Sequence, residues 1–223
     1  ITKSWEGSTL DILTRYRDSS QTGSDQTFAQ LPQITYKTQR QKIGETNFFF
    51  SQDSSFASFL TDLDTSPDID DKFSVQRFDF RTQFSYSTRI APWLSFTPNL
   101  GLRETIYSKG LDAADNNKRL GFFTRESFNV GASLNGPSFE KIFDTKYKYI
   151  PKVKHLIEPR ITYNYTPDMD EKDRAKIKVF DGNDTINRQS SITYSLTQRI
   201  LQKERKSLDK FNTREVLRFD ISQ

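Results

Sequence analysis

Between Arg77 and Ile90 the chain reads RFDFRTQFSYSTRI, and it alternates without an error. Phe78, Phe80, Thr82, Phe84, Tyr86, Thr88 and Ile90 fall on one side; Arg77, Asp79, Arg81, Gln83, Ser85, Ser87 and Arg89 fall on the other. Successive side chains of a strand point to opposite faces, so a period of two marks a sheet with one apolar and one polar face. A slip of one residue would exchange the faces along the whole segment, and the register is therefore strongly fixed. This periodicity also reconciles two facts that otherwise conflict. The mean hydropathy is −0.74, yet 19 residues are Phe and aromatics make up 13% of the chain.

The same grammar recurs. In Trp93 to Tyr107, Leu94, Phe96, Pro98, Leu100, Leu102 and Ile106 oppose Ser95, Thr97, Asn99, Gly101, Arg103 and Thr105. In Arg119 to Asn135 the apolar face is Leu120, Phe122, Phe128, Val130, Ala132 and Leu134, with Glu126 as an exception. Ile157, Ile161, Tyr163 and Tyr165 oppose Glu158, Arg160, Thr162 and Asn164, and Ile192, Tyr194, Leu196 and Ile200 oppose Ser191, Thr193, Ser195, Thr197 and Arg199. Weaker versions cover 8–17, 31–40, 43–60 and 215–223, for about nine strands in all. The best helical segment is Leu201 to Leu208, and it is short.

The connections 18–30, 61–71, 108–117 and 167–187 are long and polar, those at 40–43 and 90–92 are tight, and those at 136–153 and 202–214 are longer than simple turns. Two architectures share this pattern. A soluble antiparallel sandwich turns its apolar face inward, whereas an up-and-down transmembrane β-barrel turns it to lipid. Strands of more than a dozen residues, an aromatic-dominated apolar face and long loops concentrated at one end favour the barrel; ordinary soluble strands run about 5–6 residues. No run of 18 apolar residues is present, so a transmembrane helix is not expected. Single-chain bacterial barrels have an even strand count. An odd count, with weakly apolar end segments at 8–17 and 215–223, suggests that residues 1–223 are one segment of a larger barrel.

Composition narrows the chemistry. There is no Cys, which removes disulfides, thiolate metal sites and thiol nucleophiles. A lone His155 leaves little material for a His-based triad or metal site. The charge of +4, from 33 basic and 29 acidic residues, is too slight to imply nucleic acid. The first residues, Ile1-Thr2-Lys3-Ser4-Trp5, lack the pattern of a signal peptide. No catalytic, cofactor or metal residue is expected.

Under the barrel reading the polar face lines a lumen, with Arg77, Asp79, Arg81, Arg89, Arg103, Arg125, Arg160, Arg199 and Arg218 as candidates. Phe78, Phe80, Phe84, Tyr86, Phe96, Phe122, Phe128, Tyr163, Tyr165 and Tyr194 are the lipid-facing candidates. Guanidinium groups bind phosphate in bidentate fashion, which suits an anionic passenger or a polar plug; cross-strand ion pairs and plain hydration are the ordinary alternatives. Pro32, Pro98 and Pro159 interrupt strand-like sequence, as expected for bulges or strand starts, or for weakened pairing that lets strands part. Asp168-Met-Asp-Glu-Lys-Asp173 has Lys172 and Asp173 where a calcium loop needs a ligand and then glycine. Phe180-Asp-Gly-Asn-Asp184 reads as a turn, and Asp62, Asp64, Asp68, Asp70 and Asp71 read as solvated loop tips.

The stretch His155-Leu-Ile-Glu-Pro-Arg-Ile-Thr-Tyr-Asn-Tyr-Thr-Pro-Asp-Met-Asp-Glu171, then Val179-Phe-Asp-Gly-Asn-Asp-Thr-Ile186 and Ser191-Ile-Thr-Tyr-Ser-Leu-Thr-Gln-Arg-Ile200, resembles the LptD family of lipopolysaccharide-assembly (organic solvent tolerance) proteins. Leu31-Pro-Gln-Ile-Thr-Tyr36 is similar to an earlier strand of the same barrel. The resemblance implies an integral barrel in the outer membrane of a Gram-negative bacterium, plugged by the lipoprotein LptE. Such a barrel takes lipopolysaccharide from periplasmic bridge proteins and releases it into the outer leaflet among the outer-membrane lipids. No periplasmic jellyroll domain is evident, and the cysteines of many members are missing. The expected function is therefore lipopolysaccharide transport without covalent chemistry. A passive porin, an outer-membrane lipid-modifying enzyme and a soluble carbohydrate-binding sandwich are the rivals. A plugged lumen would argue against the porin, and a Ser/His constellation would be required by the enzyme.

Overall fold

The computed structural model describes residues 1–21, 24–64, 72–112, 119–205 and 210–223. In chain order the elements are β1 (Thr2–Trp5), β2 (Ser8–Gln21), β3 (Ser24–Thr38), β4 (Gln41–Lys42), β5 (Phe48–Asp64), β6 (Phe73–Tyr86), β7 (Thr88–Ala91) and β8 (Leu94–Tyr107). They continue with β9 (Gly110–Leu111), β10 (Arg119–Leu120), β11 (Phe123–Asn135), β12 (Phe139–Tyr147), β13 (Ile150–Thr166), α1 (Glu171–Lys176), β14 (Gln189–Arg205) and β15 (Phe211–Ser222). The hydrogen-bonded order is β1-β2-β3-β5-β6-β8-β11-β13-β14-β15, with β12 added to β13, β4 to β5 and β7 to β8; β9 and β10 form a separate pair. Every ladder with a recorded register is antiparallel. The order runs open from β1 to β15, and among the described residues no ladder joins the two ends.

Nine strands are at least 12 residues long: β2, β3, β5, β6, β8, β11, β13, β14 and β15. They fall on the nine segments whose alternation predicts strands. Several expectations need correction. Of the connections expected at 18–30, 61–71 and 108–117, residues 18–21 continue β2, 24–30 begin β3, 61–64 end β5 and Gly110–Leu111 form β9, because these polar stretches pair with their neighbours as strands. Of the helical segment expected at Leu201 to Leu208, Leu201–Arg205 belongs to β14, and 206–208 lie outside the described residues. The connector at 136–153 contains β12 and the start of β13, which form a hairpin from Phe139–Ile157 to Tyr147–Ile150. The loop at 167–187 contains a short helix, α1, whose N-cap Asp170 accepts from the Lys172 N–H at 2.8 Å. Asp62 and Asp64 lie within β5, whereas Asp68, Asp70 and Asp71 lie outside the described residues.

The three strand prolines stand where ladders change. At Pro32 the pairing of β3 with β5 shifts between Gln30 and Gln33. Pro98 lies between the last β6 pair, Ser85–Asn99, and the first β7 pair, Thr88–Phe96. Pro159 lies past the last β12 pair, Phe139–Ile157, and its carbonyl accepts from Gly136 N–H at 2.9 Å. A residue with no N–H to donate is tolerated at such interruptions.

Contacts divide the chain into two compact units. One comprises 1–85, 99–130 and 166–189, and contains a core of Ala57, Phe59, Phe73, Val75, Tyr107, Met169, Ile177 and Ile186. Three of these eight, Met169, Ile177 and Ile186, come from the segment between β13 and β14, so this long connection packs on one face of the sheet. Burying each such side chain contributes about 1.5–3 kcal/mol, enough together to hold a loop of this length in place. The other unit comprises 86–98, 131–165 and 190–223. It is knitted by cross-strand ion pairs, among them Glu158 with Arg199 at 2.6 Å and Lys154 with Glu140, and its strand β15 is exposed throughout.

Candidate functional site

Strand β6 shows how the sequence builds the site. From Phe73 to Phe80 its residues are alternately buried and exposed, with Phe73, Val75, Arg77 and Asp79 buried. The charged residues of this stretch are thus the hidden ones, while Phe78 and Phe80 are exposed. The cover is the loop. Arg77 donates from Nη1 and Nη2 to the two Asp181 oxygens at 2.8 and 2.7 Å, and from Nη1 to Asp184 at 2.6 Å. Its guanidinium also lies 4.8 Å from the centre of the Phe59 ring.

Neighbouring strands extend the cluster. Register places Arg77 opposite Tyr107 and Asp79 opposite Thr105. Tyr107 donates its hydroxyl to Asp184 at 3.0 Å, and Thr105 donates to Asp79 at 2.7 Å. Arg103 donates to Asp79 at 2.7 Å and to the Asn183 carbonyl at 2.8 Å. Arg125, on β11, donates to the carbonyls of Asp184 and Asn183 at 2.7 and 2.8 Å and to Thr105 at 3.0 Å. Three guanidinium groups on three adjacent strands therefore face three carboxylates, those of Asp79, Asp181 and Asp184. Balanced charge with most donors satisfied is the condition under which ionic groups can be buried.

Asp184 is the pivot. It is fully buried, and besides Arg77 and Tyr107 it accepts from the N–H groups of Phe180 and Asp181 at 2.8 and 3.1 Å. One side chain thus closes the turn and fastens it to the sheet. Burial alone would raise the Asp181 carboxyl. The hydrogen bond and charge of Arg77, helped by the Asn183 N–H and Arg103, outweigh that and hold it below the usual carboxylate range.

The structure brings together Arg77, Asp79, Arg103 and Arg125 of the polar-face candidates. The others lie elsewhere. Arg81 is exposed opposite Arg103, Arg89 is exposed on β7, and Arg160 reaches Ser133 at 3.2 Å. Arg199 pairs with Glu158, and Arg218 pairs with Asp220 at 2.8 Å. Among the apolar-face candidates Phe78, Phe80, Phe84, Phe122, Phe128, Tyr163 and Tyr194 are exposed, whereas Tyr86, Phe96 and Tyr165 are partly buried. Sequence reading missed Asp181 and Asp184 as site residues, since Asp-Gly-Asn-Asp reads first as a turn. The signal that could have found them is apolar. Met169, Ile177, Phe180 and Ile186 punctuate an otherwise polar loop, and such residues call for something to pack on.

His155 meets Gln198 at 3.3 Å. Among the described residues no group of three or more His, Cys, Asp or Glu is placed to hold a metal ion.

Long antiparallel strands with a loop ion-paired to their charged face define an all-β sheet protein whose polar side is built to be covered. The model of the LptD family, described as lipopolysaccharide (LPS) transport system D, matches residues 3–223, and the chain belongs to that family. This is a family of outer-membrane proteins, and its function is transport. No curated protein matches the sequence.

Proposed function

We propose that this sheet is part of the wall of an outer-membrane β-barrel that carries lipopolysaccharide to the outer leaflet. The exposed aromatic face meets lipid, and the arginine-bearing face meets the interior. The observation that carries the reading is β6, where Arg77 and Asp79 are buried under the loop while Phe78 and Phe80 on the opposite face are exposed. The assignment of faces follows from cost, since an arginine facing lipid near mid-membrane is unfavourable by about 2–4 kcal/mol. The open edges at β1 and β15 are completed by further strands, because backbone groups in hydrocarbon must be paired. In this reading 1–223 belongs to one barrel domain. Its interior also accommodates a plug lipoprotein of the LptE kind, and its cargo arrives from periplasmic bridge proteins.

Nitroxide labels at 80 and 81 in the membrane-embedded protein test the orientation. Position 80 is expected to be relaxed by a lipid-soluble quencher and position 81 by a water-soluble one, and equal behaviour at both overturns it. A photo-crosslinker at 81 is expected to trap lipopolysaccharide in living cells. A lack of adducts at 81, in cells that export normally, removes the passenger from this face.

A further inference from the structure

In the second unit the hairpin of β12 and β13 leaves one edge open. β12 takes up the side of β13 that β11 leaves: the Gly136 N–H donates to the Pro159 carbonyl at 2.9 Å, and Phe139 then pairs with Ile157. The next strand on that side, β8, begins at Leu94, and its Ser95 hydroxyl accepts from the Asn135 amide at 3.3 Å. β8 therefore starts level with the end of β11, and among the described residues nothing pairs with the outer edge of β12. We propose that this edge docks another protein, which adds an extended acidic segment to the sheet as one more strand.

The edge offers what an added strand needs. Phe139 to Asp144 pair in unbroken register with Ile157 to Lys152. In an antiparallel pair alternate residues turn both N–H and C=O away from the partner strand. Such a row of unpaired groups is a template for strand addition. Phe139, Ile142 and Phe143 are exposed beside it, so an added strand also covers apolar surface.

Charge specifies the occupant. Both acids of β12 are already matched by lysines of β13, Glu140 by Lys154 and Asp144 by Lys152 at 3.5 Å. Lys141, Lys146 and Arg89 have no acidic partner among the described residues, although the Lys141 ammonium lies 5.2 Å from the centre of the Phe143 ring. Phe139, Lys141 and Phe143 share one face of β12, and Glu140, Ile142 and Asp144 share the other. Acids of the incoming strand therefore belong on the Lys141 face. Apolar residues belong beside Ile142, where an acid would meet Glu140 and Asp144. At the head of the edge is a cavity of about 400 Å³, between the turn at Pro92–Trp93 and the segment Asn135–Ser138, with Arg89 in its lining. A strand antiparallel to β12 runs its C-terminal end toward this cavity, where Arg89 meets a carboxylate.

This inference goes beyond the transport reading, and its test does not require that the sheet cross a membrane. A labelled peptide of about ten residues, alternating valine and glutamate with a free C-terminal carboxylate, is titrated against the full-length protein in detergent micelles and followed by fluorescence anisotropy. Saturable binding is expected, with slower hydrogen exchange at backbone amides between Phe139 and Asp144. K141E and R89Q should each weaken it about tenfold. Two N-methylated peptides separate strand pairing from plain charge attraction. Methylating either the valine or the glutamate amides should weaken binding about a hundredfold, and methylating the other set should change it only a few-fold, because alternate amides face β12. The proposal is overturned by a valine–lysine peptide that binds as tightly, by equal affinity in K141E, R89Q and the parent, by the two methylated peptides behaving alike, or by protection of β15 in place of β12. A protein that is dimeric without peptide, with its β12 amides already protected, would assign the edge to a second copy and also overturn it. Failure of the nitroxide experiment would leave this result standing, and the reverse also holds.

Discussion

Replacing Asp184 by alanine should release the loop between β13 and β14 while leaving the strands in place. The carboxylate receives four donors: Arg77 at 2.6 Å, Tyr107 at 3.0 Å, and the Phe180 and Asp181 N–H groups at 2.8 and 3.1 Å. Removing one partner from a buried ion pair costs about 3–5 kcal/mol, because the remaining charge is left uncompensated. Arg77 keeps Asp181, so the lower end applies, near 3 kcal/mol, or about a hundredfold in the docking equilibrium. The D181N variant should do less, since the Asp181 side chain is 32% exposed where that of Asp184 is 0%. Hydrogen exchange measures the effect directly. The Phe180 and Asp181 amides should exchange about a hundredfold faster in D184A, and trypsin should gain access at Arg174 and Lys176. The β6 and β8 amides should stay protected. If the loop amides remain as protected as before, the ion pairs are not what fasten the loop. If β6 and β8 lose protection together with the loop, the reasoning also fails, because loop and sheet then open as one unit.

Two further outcomes follow from the same geometry. Because the folded Asp181 carboxyl is held below its unfolded value, the stability it contributes is present above pH about 4 and lost as the pH falls through the lowered value. Protection of the loop amides should therefore be flat from about pH 5 to 8 and decline below about pH 4; a decline centred near pH 6 would implicate another group. At Gly110 a methyl group would stand 2.7 Å from a Phe123 ring carbon and 3.1 Å from the Lys176 carbonyl oxygen. Gly110→Ala should disturb the stacking of Tyr107 on Phe123, rings 4.8 Å apart, and destabilise the first unit by about 1–3 kcal/mol in a denaturant titration.

The long strands were legible in the sequence because each repeats one simple rule many times. In β6 the rule holds from Arg77 to Tyr86, and position in the alternation alone separates Arg77 and Asp79 from Phe78 and Phe80. The hairpin strand β12 was not legible, since FEKIFDTKY puts apolar residues at 139, 142, 143 and 147 and follows no period of two. Helix α1 was hidden for a related reason. Six residues are too few to show a 3.6-residue period, and its acidic start also resembles a calcium loop. The ion-paired cluster lies beyond local pattern altogether. Arg77 meets Asp181 and Asp184 across 104 and 107 residues of chain, and no periodicity records which loop folds onto which face. Half of the cluster was still visible, since alternation placed Arg77, Asp79, Arg103 and Arg125 on the polar face of their strands. The loop's share was not visible, because turn-forming acids look the same in sequence whether they meet water or arginine.

The grip of Asp181–Asp184 on three strands has a mechanical consequence. Arg77, Arg103 and Arg125 belong to the consecutive strands β6, β8 and β11, and each holds the same four-residue stretch by at least one hydrogen bond. A force that draws β6 from β8, or β8 from β11, must break the ladder and also strip a guanidinium from this shared anchor. The stretch works as a rivet through three plates. Under load these two seams should be the last to part, and tearing should begin at a seam that the rivet does not cross.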